Sequence, residues 1–219
     1  NKVGNSILFT ATSYYNNIEL WSFDPTEILY HSIEGMHWSI TPSLPEGLSL
    51  DSSTGKITGI PTEVIDNKDY SSRQEFEEKM IKVLNRYGPN LVVLAGFMRI
   101  LSPLFVKHYS GRTLNIHPSL LPDYPGLDTH RRVLKSDDKY HGVTIHFVNE
   151  ALDGGPICAQ SSIEIKTNSP EVLENEIHKI EHDLYPKVIN WFGEGRLSLS
   201  ENQVFFDNKK LQIGIKNEN

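Results

Sequence analysis

The sequence predicts an α/β domain with a parallel or mixed sheet, preceded by a short β-rich segment. Three observations predict it. Residues 1–62 hold only two of the 21 basic residues, Lys2 and Lys56, and read as short apolar runs between turns. From about Ser71, stripes of helical period alternate with apolar runs of strand length, the order that marks a sheet covered by helices. One of those strands ends Asn115-Ile116-His117 and is stopped by Pro118, which cannot continue a central strand.

The elements follow in order. Ser6–Thr12 and Trp38–Ile40 are short apolar runs, divided by turn signals at Asp24-Pro25, Pro45-Glu46-Gly47 and Thr54-Gly55. Ser72 and Glu75 have capping-box spacing, and Phe76, Met80, Leu84 and Tyr87 form one stripe of the helix that follows. Gly88-Pro89 ends it. Leu91–Gly96 is continuously apolar, as a buried parallel strand would be. Ser102-Pro103 starts a short helix as N-cap and first residue. Arg112–His117 is a strand, Asp128–Lys135 a helix, and Gly142–Val148 and Ile157–Ile165 are strands. Ser169-Pro170 opens a long helix, expected to be interrupted at Pro186 and to end near Gly193. Gln203–Ile213 reads as a hairpin turning at Asp207-Asn208.

Composition narrows the function. A net charge of −7 and no basic run longer than two residues exclude an electrostatic nucleic-acid footprint. No apolar run nears the roughly 20 residues of a membrane span. The one cysteine, Cys158, excludes an internal disulfide and a Cys-based zinc site. It points to a reducing compartment, so a cytoplasmic protein is expected. The start, Asn1-Lys2-Val3-Gly4, carries neither a signal peptide nor an initiator Met, and the chain is expected to be a fragment.

Thr113-Leu114-Asn115-Ile116-His117-Pro118-Ser119-Leu120-Leu121-Pro122 carries the chemistry. Asn115 and His117 share a face, because residues two apart on a strand do. They sit at a strand end, where open α/β sheets bind ligands. An amide donates to a developing oxyanion, and an imidazole carries a proton near neutral pH. Asp153, after another strand, would favour the imidazolium if the two meet. Amide, imidazole and carboxylate together suit acyl transfer to an amine. Each also has a plainer reading. A lone His is often structural, Asn115 alone could be a turn residue, and Asp153-Gly154 alone is a common turn. Met98 and Leu101 read equally as core, Arg73 as a solvated helix charge, and Cys158 as a buried small side chain. His141 and His146, five apart on one strand, should face opposite sides and make a poor metal pair. His178 and His182 share a helix face, but HExxH is absent.

These residues carry a close resemblance to glycinamide ribonucleotide formyltransferase, the folate-dependent enzyme family of purine synthesis. The matching strings are GIPTEVIDNKDYSSR (59–73), LVVLAGFMRILSP (91–103), NIHPSLLPDYPGLDTH (115–130), HGVTIHFVNEALDGGPI (141–157), EHDLYP (181–186) and WFGEGRL (191–197). Relatives that formylate methionyl-tRNA or hydrolyse formyltetrahydrofolate share the Asn, His and Asp, but in different surroundings. The resemblance implies a Rossmann-like formyltransferase fold over residues 59–219 and formyl transfer from 10-formyltetrahydrofolate to the amine of glycinamide ribonucleotide, without a metal. It implies that His117 donates a proton, Asn115 holds the formyl oxygen and Asp153 supports His117 and orders water. Arg73, Met98, Arg99, Ile100 and Leu101 would line the folate site with Asn149, Glu150, Ala151, Leu152 and Asp153. His178, Lys179, Ile180 and Glu181 would hold the ribonucleotide; Glu181 matches the family pattern, whereas His178 stands where the family varies.

Family members begin with a strand, a Gly-rich loop and a helix whose backbone N–H groups bind the substrate phosphate. That element is not found in this sequence, so the domain reads as truncated on its N-terminal side. Gly4-Asn5-Ser6 is only superficially similar. Residues 1–58 read instead as a partial β-rich segment: WSITPSLPEGLSLDSSTGKITGIP (38–61) resembles the end of an immunoglobulin-like module of large surface proteins. The two resemblances meet at Gly59-Ile60-Pro61-Thr62, which suits both, so the chain reads as a join made there. Two alternatives therefore stand beside the enzyme: a folate-binding half-site without the phosphate loop, and an inactive chain whose working part is an Ig-like fragment.

Overall fold

The structure is a computed structural model. It describes residues 7–12, 17–23, 48–50, 57–59, 63–212 and 214–217. The expectations for Trp38–Ile40, for the turns at Asp24-Pro25, Pro45-Glu46-Gly47 and Thr54-Gly55, for Gly4-Asn5-Ser6, for Ile60-Pro61-Thr62 and for Ile213 lie outside them. The chain divides into two compact units, Asn1–Val93 and Leu94–Asn219.

In the first unit, β1 (Ile7–Thr12) pairs antiparallel with β2 (Asn17–Phe23). Strands β3 (Leu48–Leu50) and β4 (Ile57–Gly59) pair antiparallel with each other, and β5 (Glu63–Asp66) pairs antiparallel with β2. Helix α1 (Arg73–Tyr87) begins with half of the expected capping box. Ser72 Oγ accepts from the Glu75 N–H at 3.2 Å, but the Glu75 carboxylate turns one residue further out, to the Ser71 N–H and hydroxyl. Phe76, Met80 and Leu84 are buried as their spacing predicts, with Val83 beside them. Gly88, at φ 56°, ends the helix in the left-handed conformation that glycine adopts without strain. Strand β6 (Leu91–Ala95) is buried from Leu91 to Leu94 and runs across the division between the units.

The second unit continues with α2 (Pro103–His108), β7 (Thr113–His117), α3 (Thr129–Val133), β8 (Tyr140–Phe147) and β9 (Ile157–Glu164). It closes with α4 (Pro170–Gly193), β10 (Leu197–Ser200), β11 (Gln203–Phe206), β12 (Lys209–Lys210) and β13 (Ile215–Asn217). Its main sheet has the order β13-β9-β8-β7. The first pair is parallel and the other two are antiparallel, so the sheet is mixed. Strands β10, β11 and β12 form a separate antiparallel sheet. The second of its two turns falls at Asp207 and Asn208, at φ 48° and 61°, the positive angles of a tight hairpin turn.

Helix α4 packs on β8 and β9 through Leu173, Ile177, Ile180, Leu184, Tyr185, Val188 and Ile189, one stripe of helical period. It runs unbroken through Pro186, contrary to the expected interruption. A proline inside a helix costs about 3 kcal/mol. Each buried Leu, Ile or Val side chain returns roughly 1.5–3 kcal/mol, and the stripe lies on both sides of Pro186. The Tyr185 hydroxyl is fully buried beside two carbonyl oxygens, Leu94 O at 2.9 Å and Leu114 O at 3.0 Å, which fixes the helix against the ends of β6 and β7.

Candidate active site

Asn115 and His117 leave β7 on one face, as their spacing predicts. Strand β8 runs antiparallel beside them, with Asn115 opposite His146 and His117 opposite Thr144. Side chains of directly opposed residues share a face. On its other side β8 shifts register against β9, Ile145 pairing with Ala159 and His146 with Ile157.

The segment after Pro118 is held by buried polar bonds. The Leu121 N–H donates to Thr144 Oγ1 at 3.0 Å, Thr144 Oγ1 donates to Ser119 O at 2.7 Å, and Gln160 Nε2 donates to Leu121 O at 2.8 Å. The chain returns so that Tyr124 O lies 2.9 Å from His117 Nε2. A carbonyl oxygen only accepts, so Nε2 carries the hydrogen. The other ring nitrogen, Nδ1, faces Asp153 Oδ2 at 3.5 Å.

Asp153 sits at φ 49° in the loop between β8 and β9. Asn149 braces that loop, accepting from the Ala151 N–H and donating to Gly154 O. Glycine is needed at both following positions. A Cβ on Gly154 would lie 2.8 Å from Ala151 Cβ, and one on Gly155 would lie 1.7 Å from Phe147 O. The carboxylate is nearly buried, and Oδ2 accepts the Gly126 N–H at 2.8 Å.

These groups open into a cleft of about 760 Å³ lined by residues of the second unit. Four lining side chains are apolar yet more than half exposed: Met98 at 63%, Ile100 at 53%, Leu127 at 65% and Leu152 at 53%. Glu174, His178 and Glu181 line it from α4. Burial, and then the charge of Glu174, push the Glu181 carboxyl up to about 7. His178 Nε2 lies 3.9 Å from Glu181 Oε2, too far for a hydrogen bond, and is half exposed, so burial prevails. His130 also lines the cleft, and its Nδ1 lies 3.1 Å from Nε2 of buried His141. Burial lowers both, His141 to about 4.

Of the residues singled out in the sequence, the cleft brings together Asn115, His117, Asp153, Met98, Arg99, Ile100, Leu101, Asn149, Ala151, Leu152, His178 and Glu181. Leu101 is largely buried while Met98 is exposed. Glu150 and Lys179 are exposed and do not line it, and Ile180 is 3% exposed, in the core. Arg73 belongs to the first unit, where its Nε donates to the buried Glu77 carboxylate at 3.0 Å. Sequence reading missed Tyr124 O, the Gly126 N–H, His130, Glu174 and His146. Backbone groups leave no mark in a sequence. His146 needed the β7–β8 register to place it opposite Asn115. Among the described residues, no group of three or more His, Cys, Asp or Glu is placed to hold a metal, and no helix is long and apolar enough to cross a membrane.

Comparison with known proteins gives the same region a family. The Formyl transferase model matches residues 49–189, and an Ig-domain model matches residues 7–70. The chain is 46% identical over 154 residues to a phosphoribosylglycinamide formyltransferase of Escherichia coli (strain K12), covering 70% of this chain and 73% of that protein. A Haemophilus influenzae protein of the same name is 43% identical over 165 residues, covering 74% and 78%. Among solved structures, the Coxiella burnetii phosphoribosylglycinamide formyltransferase superposes with a TM-score of 0.68 at 47% identity, covering 72% of this chain and 75% of that one.

Proposed function

We infer the function from one premise: the chain belongs to the formyl transferase family. It is a phosphoribosylglycinamide formyltransferase, moving a formyl group from 10-formyltetrahydrofolate to the amine of 5-phosphoribosylglycinamide in purine biosynthesis. The observation that carries this reading is the convergence of Asn115, His117 and Asp153 in one cleft, in a chain 46% identical to an enzyme of that name. A volume of about 760 Å³ suits a reduced folate, since small-molecule sites span roughly 300–1,000 Å³. The apolar rim of Met98, Ile100, Leu127 and Leu152 suits its flat ring system. On this reading residues 59–219 are the formyltransferase domain, incomplete on its N-terminal side, and residues 1–58 a partial β-rich Ig-like segment. The free thiol of Cys158 agrees with work in the cytoplasm.

The roles follow from the geometry. Asn115 donates an amide hydrogen to the formyl oxygen as the incoming amine makes it an oxyanion. The amine must lose one proton and the departing folate nitrogen must gain one. Asp153, buried beside His117, is placed to receive the first, directly or through water. His117 Nδ1 supplies the second, while Tyr124 O holds the other ring nitrogen and so fixes the ring plane. Met98, Arg99, Ile100 and Leu101 with the loop 149–153 hold the folate. Glu181, with His178, holds the ribonucleotide. A protonated Glu181 donates one hydrogen bond to a sugar oxygen and accepts another.

The test is a formyl-transfer assay on the purified full chain with both substrates, run beside His117→Ala. Turnover that depends on His117 is the expected result. No turnover in a chain shown to be folded refutes the reading.

A further inference from the structure

Four observations converge on His146, which no step above uses. Its Nδ1 lies 3.0 Å from the backbone carbonyl oxygen of Phe147. Its Nε2 lies 3.2 Å from the side-chain nitrogen of Asn115. The β8–β9 register shifts beside it, Ile145 pairing with Ala159 and His146 with Ile157. Gly155 presses its backbone against the same contact, for a Cβ there would meet Phe147 O at 1.7 Å and His146 Nδ1 at 3.1 Å.

These contacts leave one arrangement of hydrogens. The Phe147 carbonyl accepts only, so Nδ1 carries a hydrogen. The Asp153 carboxylate faces Nε2, with Oδ1 at 3.9 Å, but the ring is 3% exposed and burial outweighs that charge, lowering its affinity for a second proton, so near neutral pH Nε2 is a bare lone pair. A lone pair accepts only, so the Asn115 amide must present Nδ2 to it, not Oδ1. One Nδ2 hydrogen is used on His146, and the other is aimed independently of any ligand.

We propose that His146 is a positioning residue: the Phe147 carbonyl sets its tautomer, and the tautomer sets the orientation of the Asn115 amide, so that the second Asn115 N–H is held ready for the formyl oxygen. An amide free to rotate would present Oδ1 half the time and repel the oxyanion. A pre-aimed donor needs no reorganisation as charge develops, which is the source of such a site's effect. The kinetic consequence rests on the formyl-transfer reading above; the tautomer does not.

The experiment has two arms on the full chain. In the first, nitrogen NMR of the ring-labelled protein reads the His146 tautomer at about pH 7.5, where an unperturbed imidazole is neutral. The expected result is a protonated Nδ1 and a bare Nε2 in the wild type. A protonated Nε2, or rapid exchange between tautomers, overturns the proposal. In the second, kcat and KM are measured for His146→Leu, His146→Gln, Asn115→Ala and the double variant His146→Leu/Asn115→Ala. His146→Leu lowers kcat about tenfold to a hundredfold, within the loss seen when an oxyanion donor is impaired, with KM little changed. His146→Gln, whose Oε1 can accept from Asn115, restores most of it. The double variant is no slower than Asn115→Ala alone, because His146 acts only through that amide. Equal losses with and without Asn115 overturn the proposal. If His146→Leu does not fold, the His146→Gln rates and the wild-type tautomer decide. If the wild type transfers no formyl group, the functional reading fails, and the NMR arm still decides the relay.

Discussion

His117 Nδ1 stands 3.5 Å from Asp153 Oδ2, and that same oxygen accepts the Gly126 N–H at 2.8 Å. The carboxylate is thus fixed by backbone on one side and faces the imidazole on the other. It therefore keeps its place beside the ring. Asp153→Asn keeps the shape and an oxygen for Gly126 but loses the charge. Its expected effect is a fall in kcat of about a hundredfold or more, the usual size of a general acid–base contribution, in a protein that melts normally. His117→Ala should lose at least as much. Unchanged turnover in either variant would remove the assigned chemistry.

Gly155 has no room for a side chain. Its Cβ would fall 1.7 Å from Phe147 O, and backbone cannot retreat as a flexible side-chain tip can. Gly155→Ala should therefore destabilise the fold by about 3 kcal/mol, the upper end for overpacking. Gly195→Ala serves as a contrast, since nothing lies within 4 Å of its Cβ and only its positive φ of 72° opposes the change. Chemical denaturation of both variants checks this; equal losses would count against the crowding.

Much of this was legible in the residues themselves. The Asn115–His117 spacing places both side chains on one strand face whatever the fold, and Pro118 ends the strand wherever it lies. Ser72, Gly88 and the Asp207-Asn208 turn announce their own conformations. What was not legible depends on distant residues. Asp153 meets His117 only through a loop braced by Asn149 and Gly154. His146 meets Asn115 only through the β7–β8 register. Helix α4 passes Pro186 because the buried stripe on its two sides outweighs one lost hydrogen bond, a balance that local rules do not contain.

Tyr185 ties α4 to the strands with one hydroxyl. Its hydrogen lies between Leu94 O and Leu114 O, and Leu114 directly precedes Asn115. Tyr185→Phe keeps the ring and leaves two buried carbonyls to share one partner fewer. The expected loss is about 1–3 kcal/mol of stability, the cost of an unsatisfied buried polar group. A smaller fall in kcat should accompany it, as Asn115 loses its anchor. Urea denaturation and steady-state kinetics on the same sample check both; a fully wild-type protein would show that the hydroxyl does not hold the site.

Glu181 links stability to pH. Burial, reinforced by the charge of Glu174, raises its carboxyl from an ordinary 4.5 to about 7. The folded chain then holds the proton more tightly than the unfolded chain. This contribution is fully present below about pH 4.5 and is lost as pH rises through about 7, where the folded state must ionise a buried group. A shift of this size corresponds to at most about 3 kcal/mol. Glu181→Gln imitates the protonated acid at every pH. It should melt with the wild type at and below about pH 4.5, increasingly above it as pH rises to about 7, and by a constant margin beyond, where the wild type carries the buried charge. Glu174→Gln removes the second cause, so Glu181 ionises at lower pH in the folded chain and the loss becomes smaller. Melting temperatures of the three proteins across that range decide the matter. Parallel curves for wild type and Glu181→Gln would mean that Glu181 is ionised without cost, and that it meets its substrate as a carboxylate acceptor alone.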